Sequence, residues 1–145
     1  HPISNWESRE AALFLDTGSP HHVVFVADVD VVDVATQGAA IAHGAPYFSD
    51  GANVNFVAVT GDASLSVRTF ERGVEAETLS CGTGVTASAI AAHITKRVIT
   101  EHIAIHTRGG ALKVSFTPTN NGYKAVVLQG PATPVFNGQF DIDSL

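Results

Sequence analysis

The sequence predicts an α+β fold in which a curved, barrel-like sheet of mixed or antiparallel strands wraps around one central helix. Three observations carry this. Short β-branched or alternating apolar stretches recur along the chain, separated by turns containing Gly, Asn and Asp. One segment, residues 85–96 (VTASAIAAHITK), is alanine-rich and small around most of its circumference. A helix of that kind can be enclosed on several sides at once. The third observation is size and polarity: 145 residues, 45% hydrophobic and 15% charged, suffice for one domain (1–145) with a core and exclude a disordered chain.

The elements follow in order. The first dozen residues, with Trp6 among mixed charges, give no reading, and strand character starts at Leu13. Residues 23–27 (VVFVA) are β-branched and apolar, as a buried strand requires. Residues 28–34 alternate acid and valine and lead into a short helix over 34–43. Residues 53–60 (NVNFVAVT) form a strand, Gly61-Asp62 a turn, and 64–70 the returning strand. Period two then sets Leu65, Val67 and Thr69 on one face, and Ser66, Arg68 and Phe70 on the other. After the central helix, Ile103 and Ile105 begin a strand and Gly109-Gly110 turns it. Leu112, Val114 and Phe116 alternate on the return, and Asn121-Gly122 signals a hairpin into 124–129. The proline-containing tail PATPVFNGQFDI is expected to add one edge strand.

Charge and composition narrow the function. The net charge is -6 and no basic block exists, which argues against nucleic acid and against anionic membrane surfaces. No apolar run is long enough to span a bilayer, and the polar start HPISNWESRE lacks the apolar region of a signal peptide, so a cytoplasmic protein is expected. A single cysteine excludes an internal disulfide framework. The chain has no methionine, even at its start, and reads as a fragment or a processed piece.

That cysteine, Cys81, directly precedes Gly82-Thr83-Gly84 at the start of the alanine-rich helix. The first N–H groups of a helix lack intrahelical partners and carry partial positive charge. A thiolate there is stabilised, so its pKa is expected to fall, making it a usable base or nucleophile. The glycines admit close approach of a ligand, and the same N–H groups suit a carboxylate.

Four motifs occur in order: Thr17-Gly-Ser-Pro-His21, Gly51-Ala-Asn-Val-Asn-Phe56, Arg68-Thr-Phe-Glu-Arg-Gly73 and Glu77-Thr-Leu-Ser-Cys-Gly-Thr-Gly84. Together they resemble the C-terminal half of the diaminopimelate epimerase family, from about Leu13 to the end and more weakly after the helix. Cys-Gly-Thr-Gly is shared with proline racemases, but there the thiol typically follows Asp-Arg-Ser-Pro. The Glu-Arg-Gly upstream and the Gly-x-Pro-His loop point to the diaminopimelate branch. The family fold is two pseudo-symmetric halves, each a curved sheet around a helix, with one catalytic cysteine from each half and the site between them.

The resemblance implies a reaction without pyridoxal phosphate, any other cofactor or a metal. Epimerisation needs a base on one face of Cα and an acid on the other, and electrostatic stabilisation of the carbanion. Cys81 corresponds to the second thiol, and backbone N–H groups of Gly82 and Thr83 would hold the α-carboxylate. Glu71 and Arg72 match a substrate-contacting pair, in which Arg72 would grip a carboxylate and Glu71 would receive the ammonium or tune Cys81. Asn53 matches a substrate-binding asparagine. Asn55 points the same way along an extended strand, so choosing between them rests on the resemblance alone. His21 matches a histidine that supports the thiol pair. His43, His93, His102 and His106 lack a carboxylate or thiol to complete a metal site.

The match departs from the family in three places. Ser19 stands where Asn is common between Gly18 and Pro20, with a shorter reach for binding substrate. The 73–81 segment is one residue longer than usual, with Glu75 the extra, which leaves open which of Glu71, Glu75 and Glu77 faces the ligand. The N-terminal half and its thiol are missing from this sequence. The implied partners are therefore diaminopimelate and the N-terminal half of the same enzyme. The isolated chain is expected to be inactive, and its uncovered apolar face favours a homodimer or aggregation. A related racemase of other specificity, or a non-catalytic binding domain that retains the thiol, are the competing readings. Cys81 reactivity at neutral pH separates the last from the others.

Overall fold

The computed structural model describes residues 6–9, 12–139 and 141. Its elements are β1 (Trp6–Arg9), β2 (Ala12–Asp16), β3 (Pro20–Phe25), α1 (Val34–His43), β4 (Asn53–Gly61), β5 (Ser64–Glu71), β6 (Ala76–Thr78), α2 (Gly82–Ile94), β7 (His102–Thr107), β8 (Gly110–Thr119) and β9 (Gly122–Gln129). The strands join one mixed sheet in the order β1-β2-β3-β4-β5-β7-β8-β9, with β6 paired to β5. The β3–β4 and β5–β7 pairs are parallel and the others antiparallel. Each parallel pair is bridged by a helix, α1 or α2, because parallel neighbours need a long crossover.

Helix α2 is the core of the molecule. It packs against β2, β3, β4, β5, β7, β8 and β9, so the sheet curls around it as the alanine-rich sequence requires. All its residues from 84 to 92 are buried. Only side chains no larger than Ile90 allow this, because the sheet closes on several sides of the helix. Leu15, Val23, Val57, Leu65, Ile103, Ile105 and Val114 fill the space between.

Helix α1 covers the opposite face of β4 and β5, forming a second core of Val34, Ala42, Val54, Phe56 and Phe70. Asp33 caps it by accepting from the Thr36 N–H at 3.2 Å. Gly38 lies so close to the Phe70 ring that a Cβ there would collide with it. With a helix on each face, β4 is buried continuously from Asn53 to Ala58. The parity of β5 stands as read: Leu65 and Val67 join the α2 core, and Phe70 the α1 core.

Several expectations are corrected. Strand β3 begins at Pro20 rather than at residue 23, and its pairing with β2 starts at Asp16↔Pro20. That carries His21 inside the sheet instead of leaving it in a loop. The two-residue turns are Asp62-Ala63, Arg108-Gly109 and Asn120-Asn121, each displaced by one residue from the expected dipeptide, since Gly61↔Ser64, Thr107↔Gly110 and Thr119↔Gly122 close the ladders. Gly110 and Gly122 instead open the returning strands with φ of 127° and 135°. The edge strand expected in the tail does not form over residues 131–139, where Pro131 and Pro134 remove two ladder donors. The tail residues 140 and 142 lie outside the described residues. Trp6–Arg9, which gave no reading, pairs with β2. No helix among the described residues is long and apolar enough to cross a membrane.

Candidate active site

Cys81 is the N-cap of α2, with extended backbone (φ −121°, ψ 111°) and a carbonyl that accepts the Val85 N–H at 2.9 Å. An extended residue feeding a Gly-Thr-Gly first turn holds the sulfur at the mouth of the helix, where the N–H groups of Gly82 and Thr83 have no intrahelical acceptor. Both residues are exposed. The approach to Cys81 is fixed by a clamp. Arg68 Nε and Nη2 donate to the two Glu77 carboxylate oxygens at 2.7 and 2.8 Å, and Nη1 donates to the Val29 and Val32 carbonyls at 2.6 and 3.0 Å. Arg108 Nε adds a contact of 3.2 Å to Glu77. The Arg68 hydrogen bonds hold the Glu77 carboxyl below its usual range. The clamp ties β6, whose Glu77 lies four residues before the thiol, to β5 and to the 29–32 loop.

Around the sulfur the sequence-predicted residues converge. The Thr83 hydroxyl lies 3.5 Å from Cys81 Sγ, 2.9 Å from His21 Nε2 and 3.1 Å from Ser19 Oγ. Ser19 Oγ is also 2.9 Å from His21 Nε2. Thr17 Oγ1 donates to the Thr83 carbonyl at 3.0 Å, pinning the β2–β3 turn to the helix start. Glu71, at the end of β5, approaches the thiol with its carboxylate. Asn53 donates to the Pro20 carbonyl at 3.1 Å and to Ser19 Oγ at 3.4 Å, and accepts the Arg72 N–H at 3.0 Å. The Arg72 guanidinium donates to the Asp50 carbonyl at 2.7 Å. Arg72 thus joins the cluster through its backbone, while its exposed side chain braces the 50–51 loop.

The electrostatics differ from the sequence expectation. Burial pushes the Cys81 thiol above its usual value, and the Glu71 carboxylate adds to that. The Thr83 hydroxyl and the Gly84 N–H act in the opposite direction but do not outweigh burial. The expected lowering by the helix terminus is therefore overturned, because the sulfur is withdrawn among packed side chains and Cys81 is only 9% exposed. His21 is fully buried, and burial lowers its pKa to about 4, with Asp16 opposing and Arg72 reinforcing the shift. At neutral pH it is an uncharged imidazole.

Of the three glutamates left open by the sequence, Glu71 is the one against the thiol. Glu75 accepts from His43 at 2.6 Å and from the Gly73 N–H at 2.9 Å, and Glu77 is held by the arginines. Among the other histidines, His93 Nδ1 meets the Tyr123 hydroxyl at 2.8 Å, and His102 and His106 lie exposed on β7. Two inner residues were not singled out as site residues. Asn55 is fully buried and reaches His21 Nδ1 at 3.0 Å, and Thr69 Oγ1 donates to Asn55 Oδ1 at 3.0 Å. Their signal was polarity at inward-facing positions of apolar strands: Asn55 shares parity with Val57, and Thr69 with Val67.

Residues 13–135 match the sequence profile described as Diaminopimelate epimerase. The chain belongs to the diaminopimelate epimerase family. The Diaminopimelate epimerase of Flavobacterium psychrophilum is 48% identical over 124 residues, covering 86% of this chain and 48% of the relative. That of Chlorobaculum tepidum is 43% identical over 126 residues, again 86% and 48%. The chain spans about half the length of the curated relatives it matches. The fold extends further: a hydroxyproline epimerase from Agrobacterium vitis aligns with a TM-score of 0.56 at 14% identity over 77% of this chain and 38% of that one. A PhzF family phenazine biosynthesis protein from Bacillus anthracis gives 0.54 at 20% identity over 83% and 36%. Likeness at those identities concerns the fold alone. The short Ser19 side chain reaches both His21 and Thr83. Glu75 sits in the turn between β5 and β6 with a φ of 61°.

Proposed function

We propose that the chain is the C-terminal half of a cofactor-independent diaminopimelate epimerase, interconverting LL- and meso-diaminopimelate for lysine and peptidoglycan synthesis in the cytoplasm. The observation that carries this reading is one buried thiol at a helix N-terminus, with Glu71 beside it and the His21–Thr83 pair on another flank. Family membership supports the substrate class.

The α-proton of an amino acid is very weakly acidic, so its removal needs a base and fixed positive charge for the developing carbanion. In the proposed cycle, the thiolate of the N-terminal half takes the α-proton from one face. Cys81 rests as a thiol at neutral pH and gives its proton to the other face. It then stands as a thiolate, which the Thr83 hydroxyl and Gly84 N–H favour, ready to act as base in the reverse direction. Gly82 and Thr83 N–H groups receive the α-carboxylate, at the positive end of α2. Glu71 takes the ammonium and, as a neighbouring anion, favours protonated Cys81. Arg72 retains its Nε and Nη2 N–H groups for a carboxylate, since Nη1 alone braces the Asp50 and Gly51 carbonyls.

The test is α-proton exchange of LL-diaminopimelate in D₂O, followed by NMR, with this chain alone and mixed with a separately expressed N-terminal half. Exchange and meso product only in the mixture, abolished by Cys81→Ala, are expected. No exchange from associated halves with reduced Cys81 would refute the proposed substrate and direct the search to other amino acids.

A further inference from the structure

The buried side of the site holds an amide whose orientation is fixed. Asn55 Nδ2 lies 3.0 Å from His21 Nδ1 and 3.4 Å from the His22 carbonyl, and Asn55 Oδ1 receives the Thr69 hydroxyl at 3.0 Å. A carbonyl oxygen only accepts, so the Asn55 NH₂ must face His22 and, with it, His21 Nδ1. A nitrogen that receives an N–H carries no proton, so the proton of the neutral ring sits on Nε2. Nε2 in turn lies 2.9 Å from both Thr83 Oγ1 and Ser19 Oγ. The room for Asn55 comes from Gly84: a Cβ there would collide with Asn55 Oδ1. The β3–β4 register, His21↔Asn53 and Val23↔Asn55, sets the amide diagonally across from the ring.

We infer that Asn55 is a positioning residue, which by donating to Nδ1 fixes the His21 proton on Nε2, facing the Thr83 and Ser19 hydroxyls, so that Thr83 cannot donate to the ring and keeps its hydrogen for the Cys81 sulfur or for Ser19. The polarity of the bonds from Thr69 through Asn55 to His21 follows from that one amide. A reversed ring would oppose two donors at Nδ1 and leave Nε2 as an acceptor for the Thr83 or Ser19 hydroxyl. The inference rests on the reading of Cys81 as an acid–base thiol, but its first test does not involve turnover.

That test is a long-range ¹H–¹⁵N correlation spectrum of the chain labelled with ¹⁵N-histidine at neutral pH, with His21 identified by His21→Gln. The expected pattern is an unprotonated Nδ1 and a protonated Nε2. In Asn55→Asp, of nearly the same shape, the carboxylate accepts where the amide donated, and Nδ1 is expected to gain a proton. A protonated Nδ1 in the unaltered chain overturns the inference without any variant, and so does an unchanged pattern in Asn55→Asp. With the halves combined, Asn55→Asp should slow exchange about tenfold, the effect of losing one hydrogen bond that orients the site. Full exchange by the Asn55→Asp pair also overturns the inference. Absence of exchange from the unaltered pair instead refutes the proposed function and leaves the ring assignment standing.

Discussion

Replacing Gly84 by alanine separates this site from an ordinary helix start. A glycine inside a helix normally costs about 1 kcal/mol relative to alanine, so the substitution would ordinarily stabilise the chain by that amount. Here the new methyl would occupy the space of Asn55 Oδ1 and lie 3.3 Å from both Cβ and Sγ of Cys81. Asn55 must swing away, giving up its bonds to His21, His22 and Thr69. At about 1 kcal/mol for each buried bond, the loss is roughly 3 kcal/mol. The net effect should be destabilisation by about 2 kcal/mol, or a Tm roughly 5–8 °C lower in a chain of this size. Urea unfolding monitored by circular dichroism gives the free energy, with equal m-values confirming that the same transition is compared. The reasoning also fixes a double-mutant result: in an Asn55→Ala background the obstruction is gone, and Gly84→Ala should recover its ordinary stabilising sign. A Gly84→Ala chain at least as stable as the unaltered one, or equal effects in both backgrounds, would refute the tight packing of Asn55 against the helix start.

Because burial raises the Cys81 pKa, alkylation by iodoacetamide should be slow at pH 7 and accelerate above the ordinary thiol value of about 8.5. Glu71→Gln should move that rate profile to lower pH, and an unmoved profile would separate Glu71 from the sulfur. His21, with a folded pKa of about 4, is lower than in the unfolded chain, which therefore binds more protons between pH 4 and about 6.5. Stability should fall as pH drops through that window, by about 3 kcal/mol from this group. His21→Gln should flatten that part of the urea-measured pH curve, and an unchanged slope would contradict the buried neutral ring. Glu77→Ala would leave the guanidinium of Arg68, 8% exposed, without its carboxylate, and should cost about 3 kcal/mol. A loss below about 1 kcal/mol in the same titration would show that the clamp does not hold β6.

Much of this architecture was legible because the decisive signals are local. The alanine-rich composition after Cys81 announced a helix enclosed on several sides, and the capping acid Asp33 stands directly before the helix read over 34–43. The motif residues Ser19, His21 and Thr83 also lie together beside the thiol. What the sequence could not supply was the environment of each group. The positive end of a helix argues for a low-pKa thiol, but only packing reveals that burial overrides it at Cys81. Likewise, the parity of Asn53 and Asn55 was visible, yet their different partners depend on the parallel pairing of β3 with β4, a non-local fact. The edge strand expected in the tail fails because Pro131 and Pro134 interrupt it, and Val135 and Phe136 are exposed there.

The distance in sequence between the partners at Thr83 bears on how the chain reaches this state. Thr83 is bonded to residues 62, 64 and 66 positions earlier. During synthesis, strands β2 to β5 leave the ribosome before α2 exists, so their inner face has nothing to pack against until residue 94 has been added. Such non-local pairings close slowly, on millisecond-to-second timescales. Until α2 has been added, the nascent chain therefore exposes an apolar sheet face, a natural substrate for a chaperone that binds extended hydrophobic segments.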